Sequence, residues 1–235
     1  MFIPLRDDNR AERRPIVTWL LVAANLAAFA WQLSAGARSI QVGGAIPYEL
    51  LTFQDIAERD LVPPPFTIFT SMFLHAGLWH VAGNMLFLWI FGNNVEDALG
   101  RLRFLAFYLT AGVAAALTQA LATTVQAASL DGAAAAALLS VPMVGASGAI
   151  AGVLAAYLVL FPRARVQTLV VLFLLYVPAW LFIGLWFLGQ VVAVLAGGQA
   201  GVAVFAHVGG FLAGLALVRT MGRRAGWRRR YSSSP

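Results

Sequence analysis

The chain has 235 residues, 60% of them hydrophobic and only 11% charged, with a mean hydropathy of +0.79. A soluble globular domain carries about 25% charged residues, so the composition excludes an ordinary water-soluble fold and fits an integral membrane protein. The net charge of +6 comes from sixteen arginines grouped in short segments between apolar runs, a pattern that sets topology and gives no support to nucleic-acid binding.

In chain order, Met1 to Pro15 mixes Arg6, Arg10, Arg13 and Arg14 with Asp7, Asp8 and Glu12. The apolar run behind it lacks a small-residue cleavage site and is expected to be a retained first span, not a signal peptide. Stretches of roughly 20 apolar residues, the length that crosses a hydrocarbon core, lie near Ile16 to Leu33, Trp79 to Val95, Phe104 to Thr124, Val144 to Phe161, Gln167 to Gln190, and Val202 to Thr220. The expectation is an all-α membrane protein with six transmembrane helices, the fifth open to a kink at Pro178. Residues 1–15 would be a cytoplasmic segment, 16–220 the six-span domain and 221–235 a basic cytoplasmic tail. Only Arg38 and Arg59 fall outside the segments that the positive-inside rule assigns to the cytoplasm, so both termini are expected there.

The first outer loop, Ser34 to Phe73, is too long for a simple connection. Its stretch from Pro47 to Leu61 mixes Leu50, Leu51, Phe53 and Ile56 with acidic residues, which reads as a short interfacial helix stopped by Pro63, Pro64 and Pro65. The outer segment from Val125 to Val141 is alanine-rich and carries no assigned function.

All three histidines, His75, His80 and His207, lie in apolar segments, and Ser147 lies in an apolar Gly-Ala-Ser-Gly turn. Polar groups at such depth lose water they cannot replace and usually face a cavity or a pathway. His80 falls in the first turn of the second span, Ser147 in the first turn of the fourth, and His207 about two turns into the sixth. Each of those spans runs from outside to inside, so the three share one depth. Asn84 follows His80 by four residues and stacks on the same helix face. Gly148 with Gly152, and Gly210 with Gly214, form small-residue faces that let helix backbones approach closely. The chemistry this suggests is nucleophilic acyl transfer, with Ser147 as nucleophile and His207 as general base. Asn84 and His80 would stabilise the oxyanion, helped by the Ser147 backbone N–H. No acidic residue lies in the outer half of any span, and Glu96 and Asp97 fall roughly 25 Å from His80 along the helix. The expected unit is therefore a Ser-His dyad.

His80-Val-Ala-Gly-Asn84, Gly145-Ala-Ser-Gly148 and Ala206-His-Val-Gly-Gly resemble the signature of rhomboid intramembrane serine proteases. Gly92, Glu96 and Gly100 are similar to the Gly-xxx-Glu-xxx-Gly of that family. The resemblance implies a six-helix rhomboid-like bundle that admits a transmembrane helix sideways and cuts it near the outer surface. It implies the roles given above for Ser147, His207, Asn84 and His80, and a lateral gate on the fifth span at Trp180, Phe182, Trp186 and Phe187. Two positions depart from it. Ala151 stands where well-known members carry an aromatic ring that stacks on the catalytic histidine, and Phe66-Thr67 stand in place of a Trp-Arg pair in the first outer loop.

Plainer readings exist for each feature. Gly-Ala-Ser-Gly alone is more often a helix-packing face, and His75, off the His80 face, reads as an interhelical hydrogen bond. Glu96 and Asp97 read as partners of Arg101 or Arg103, and the run Arg223, Arg224, Arg228, Arg229 and Arg230 as an orientation signal that also meets anionic lipid. As a whole the chain could instead be a non-catalytic rhomboid-like protein that binds transmembrane helices. A proton-coupled carrier lacks the expected repeats and intramembrane carboxylates, and a zinc protease lacks His-Glu-x-x-His. No cofactor, metal or nucleic acid is expected. The partners would be single-span membrane protein substrates and the lipid bilayer, in a bacterial inner membrane as the arginine-only basic set and short N-terminus suggest.

Overall fold

The computed structural model describes residues 2–56, 62–196 and 203–221, and within them the chain is predominantly helical. Strand β1 (Phe2–Asp7) leads to α1 (Ile16–Ala35), the short α2 (Arg38–Gly43) and α3 (Pro47–Thr52), a 3-10 turn at Pro64–Phe66, and α4 (Thr67–Ser71). Helix α5 (Leu78–Phe87) continues through a π-helical turn at Leu88–Gly92 into α6 (Asn93–Leu99), forming one rod. Then come α7 (Arg101–Ala127), α8 (Gly132–Leu139), α9 (Ser147–Leu160), a hairpin of β2 (Arg165–Val170) and β3 (Phe173–Pro178), α10 (Ala179–Leu195) and α11 (Val204–Thr220).

α1 and α7 are each long and apolar enough to cross a bilayer. Leu33, Leu102, Leu121, Val125 and Leu195 point outward from the bundle. That much exposed apolar surface suits lipid and not water. The centre is α9, buried at every position from Gly148 to Tyr157. Its small residues are there because neighbours touch its backbone. A Cβ on Gly148 would meet the Ala115 methyl at 2.5 Å and one on Gly152 would meet that of Ala111 at 2.6 Å, both on α7. From α11, a Cβ on Gly210 would strike the Gly148 carbonyl, and one on Gly214 the carbonyl of Gly152.

Gly92, Glu96 and Gly100 each have a distinct mechanical role. A Cβ on Gly92 would come within 3.2 Å of the Thr18 methyl, so the missing side chain admits α1 against the π turn. The Glu96 carboxylate then accepts hydrogen bonds from Val17 N–H (3.0 Å), Thr18 N–H (2.7 Å) and the Thr18 hydroxyl (2.8 Å). Those backbone N–H groups are the orphan donors of the first turn of α1, whose preceding residue Pro15 offers no side-chain cap. Gly100, at φ +86°, ends α6 and starts α7 in a single left-handed step. The expected pairing of Glu96 with Arg101 or Arg103 is thus replaced by a helix cap, and Asp97 accepts from the Glu12 backbone N–H at 3.1 Å.

The expectation of an all-helical chain needs a local correction. The run from Gln167 to Gln190 is not one span. Its first part is the β2–β3 hairpin, to which β1 adds as a third antiparallel strand in the order β1-β2-β3, and the helix begins only after Pro178. The sheet is tied to the bundle by Asp7, whose carboxylate accepts from the Tyr157 hydroxyl at the end of α9 and from Asn94 Nδ2 on α6. Arg13, Arg14, Arg101 and Arg103 line one cavity of about 740 Å³ beside Glu96, and Arg165 N–H donates to Asp8. Arg6, Arg13, Arg14, Arg101, Arg103 and Arg165 therefore gather at one end of the bundle. In the long loop α3 stops at Thr52, short of the expected helix to Leu61; residues 57–61 and the arginines from Arg223 onward lie outside the described residues.

Candidate active site

Ser147 is the first residue of α9 and His207 lies in the first turn of α11. The close glycine contact between those helices brings Ser147 Oγ to 2.8 Å from His207 Nε2. A one-carbon side chain reaches an imidazole on another helix only when the backbones touch, so the distance is a product of Gly148 and Gly210. The other ring nitrogen, Nδ1, lies 2.7 Å from Gln190 Oε1 on α10. An amide oxygen only accepts, so Nδ1 carries the proton and Nε2 presents a lone pair to the Ser147 hydroxyl. The Trp186 ring, one turn before Gln190, sits with its centroid 5.9 Å from that of His207.

His80 and Asn84 share α5. The Ala76 backbone N–H donates to His80 Nδ1 at 3.3 Å, which leaves Nε2 as the protonated, donating nitrogen. That atom faces the turn that leads into Ser147: a Cβ on Gly145 would stand 2.9 Å from His80 Nε2 and 3.6 Å from Ser147 Oγ. Gly145 also has φ +129°, so the position excludes any other residue on two counts. The Asn84 side chain is buried, and its Nδ2 has no hydrogen-bond partner. A buried amide N–H without an acceptor costs about 1–3 kcal/mol.

The structure sets Ser147 against His207 and turns His80 toward the Gly145–Ser147 turn, while Asn84 lies one helical turn beyond His80 on α5; it places His75 differently. The His75 ring is buried edge-on against His80, with centroids 5.0 Å apart, and makes no interhelical hydrogen bond. Its backbone is what the fold grips: Gln32 on α1 donates to the His75 carbonyl at 3.1 Å and accepts from its N–H at 2.8 Å. Ala151, fully buried, offers no ring to His207; Trp186 and Gln190 approach it instead. Gln190 was missed because it marks the edge of an apolar run. Its signal was being the one side-chain amide within α10, Ala179–Leu195.

Comparison with known proteins places the chain in a family. A family model described as the Rhomboid domain matches residues 64–224. The mitochondrial Rhomboid protein 1 of Saccharomyces cerevisiae is 32% identical over 167 residues, which cover 70% of this chain and 41% of the relative. The mitochondrial presenilin-associated rhomboid-like protein of Homo sapiens is 34% identical over 164 residues, covering 68% and 38%. Rhomboid protease GluP of Bacillus subtilis is 32% identical over 147 residues, covering 62% and 24%. The chain thus spans about two fifths or less of the length of these curated relatives. The expected bacterial inner membrane is corrected by the yeast and human relatives, both of which are mitochondrial by name. With a domain match over most of its length and the serine-histidine contact between α9 and α11, this chain belongs to the rhomboid family.

Proposed function

We propose that the protein is an intramembrane serine endopeptidase that cuts transmembrane-helix substrates near the outer membrane face, with Ser147 as nucleophile and His207 as general base. The observation that carries this reading is the 2.8 Å contact from Ser147 Oγ to His207 Nε2. In the first step the hydroxyl gives its proton to Nε2 as Oγ bonds to the scissile carbonyl carbon. The carbonyl oxygen becomes an oxyanion, for which Asn84 Nδ2 and His80 Nε2–H are the available donors. The C–N bond then breaks, His207 returns the proton to the leaving amine, and water hydrolyses the acyl-serine by the same route. Losing one oxyanion donor typically costs about 100- to 1000-fold in rate.

The arrangement of elements supports a buried site with both termini on the inner, arginine-bearing side of the membrane. The fourteen residues of α9 rise about 21 Å, against a hydrocarbon core of roughly 30 Å. With Arg163 and Arg165 at the inner boundary, Ser147 lies roughly 9 Å below the outer one. The gathering of arginine-bearing segments at the opposite end fits the positive-inside rule. In this reading residues 16–220 form the six-span protease domain between an N-terminal segment and a basic tail that both lie on the inner side, and single-span membrane proteins are the substrates.

The test is cleavage of a generic single-span substrate by purified wild type and Ser147→Ala in proteoliposomes. Wild type should cut and Ser147→Ala should not. Equal activity of the two would overturn the serine mechanism, and substrate binding without cleavage by wild type would favour a helix-binding, non-catalytic role.

A further inference from the structure

We infer that Gln190 is a third, positioning member of the site, which holds His207 in the one tautomer and orientation that can take the Ser147 proton. This rests on the protease reading above. A neutral imidazole can carry its proton on either nitrogen. If the proton sits on Nε2, the atom facing Ser147 is a donor and cannot act as a base. The 2.7 Å contact from Gln190 Oε1 to Nδ1 removes that ambiguity, because only the Nδ1–H form satisfies both atoms. The Gln190 amide is itself oriented, since its Nε2 turns back toward the Trp186 carbonyl one helical turn earlier, at 3.5 Å. That leaves the oxygen facing the histidine.

The choice of an amide fits the surroundings. A carboxylate would fix the same tautomer, but taking a charge into an apolar bundle costs several kcal/mol unless it is well paired. An amide oxygen supplies the acceptor without the charge. Serine and cysteine hydrolases on unrelated folds use either chemistry for the residue behind the histidine, Asp in one case and Asn in another. Here the group comes from a separate helix and not from the nucleophile's own helix, where Ala151 leaves the corresponding space empty of any ring.

The position of Gln190 gives the contact a second property. The buried residues of α10 are Ala179, Phe182 and Ile183, all in its first half. Gln190 lies in the second half, held by side-chain contacts alone. An outward shift of that half by one or two ångströms breaks the hydrogen bond while leaving Ser147 and His207 within reach of each other. The base is then present and misdirected, so chemistry is tied to where α10 stands.

The experiment compares wild type, Gln190→Leu and Gln190→Glu for steady-state cleavage in proteoliposomes, and for the imidazole ¹⁵N shifts of His207 in detergent micelles. Ser147 labelling by a fluorophosphonate serves as an independent check of the nucleophile. Wild type should show a single Nδ1–H tautomer. Gln190→Leu should show a tautomer mixture and a kcat reduced about 10- to 100-fold, less than the whole contribution of a general base, with KM within about twofold. Gln190→Glu keeps an acceptor oxygen at the same reach and should recover most of the lost kcat. An unchanged ¹⁵N pattern in Gln190→Leu overturns the inference. So does a rise in KM at constant kcat, or a Gln190→Glu loss as deep as that of Gln190→Leu. Wild type that neither labels nor cuts defeats the protease reading, while the ¹⁵N pattern still decides whether Gln190 sets the tautomer.

Discussion

His207 stands between two neighbours that are attached in opposite ways. Toward α9, helix α11 makes backbone contact: Gly210 lies against the Gly148 carbonyl and Gly214 against that of Gly152. Toward α10 the contact runs through side-chain tips, with Phe187 stacked on Phe211 at 4.1 Å, Trp186 beside His207, and the Gln190 hydrogen bond. Backbone contact between glycines leaves no slack, because nothing can rotate to relieve it. Side-chain contact has rotamers to spend. The separation of Ser147 and His207 is therefore fixed by the rigid side, and the orientation of the His207 ring is set by the adjustable one.

The contrast can be broken from the rigid side first. Gly210→Val drives a branched side chain into the Gly148 carbonyl, and the helices must part. It should cost about 3 kcal/mol, the upper range for overpacking, and abolish cleavage, as thermal unfolding and substrate cutting in detergent would record. On the adjustable side, Phe187→Ala removes a stacked pair worth about 1 kcal/mol beyond its buried area. Cleavage should fall severalfold while the melting temperature moves much less than in Gly210→Val. Equal losses of stability in the two variants would remove the distinction between the two sides.

The smallest effect is expected at the far end, as a control on both. Burial raises the Asp7 carboxyl from 3.8 to about 6, although the Tyr157 hydroxyl bond opposes the shift. The folded protein thus holds the Asp7 proton more tightly than the unfolded chain does. Between those two values it binds more protons than the unfolded chain, so this contribution to stability rises as pH falls through 6 toward 3.8 and is absent above 6. Asp7→Asn should remove that component of the pH dependence and leave cleavage at neutral pH unchanged. The readout is the difference between wild-type and variant melting curves at pH 5 and pH 7.

What the sequence revealed depended on whether a signal was carried by pattern or by contact. The helices begin at Ile16, Leu78, Arg101, Ser147 and Val204, each within a few residues of where apolar length placed it. The Ser147–His207 contact was legible because polar residues in apolar segments at a shared depth leave few alternatives. The hairpin was not legible. Its turn, at Val171 and Leu172, uses a valine at φ +56° with no glycine, proline or asparagine to announce it. Leu172 and Phe173 at its tip are exposed and apolar, so the run continued unbroken into α10. Gln190 was invisible for a different reason: a lone amide at the edge of a hydrophobic stretch gains meaning only once the ring nitrogen beside it is known. Glu96 was read as an ion-pair partner because the nearest cations in sequence were arginines, whereas the groups it caps are backbone donors 78 and 79 residues away.

The three-stranded sheet has a consequence for synthesis. Arg6 of β1 bonds to Gln167 of β2, 161 residues further along the chain. At about 5 to 20 residues per second on the ribosome, β1 waits roughly 8 to 32 seconds for its partner to emerge. Four helical rods must be threaded into lipid in that interval with the strand edge unpaired. An unpaired edge accepts any matching strand, including the same β2 from a neighbouring nascent chain. Correct closure is thus a race between a strand's own late partner and another copy's early one.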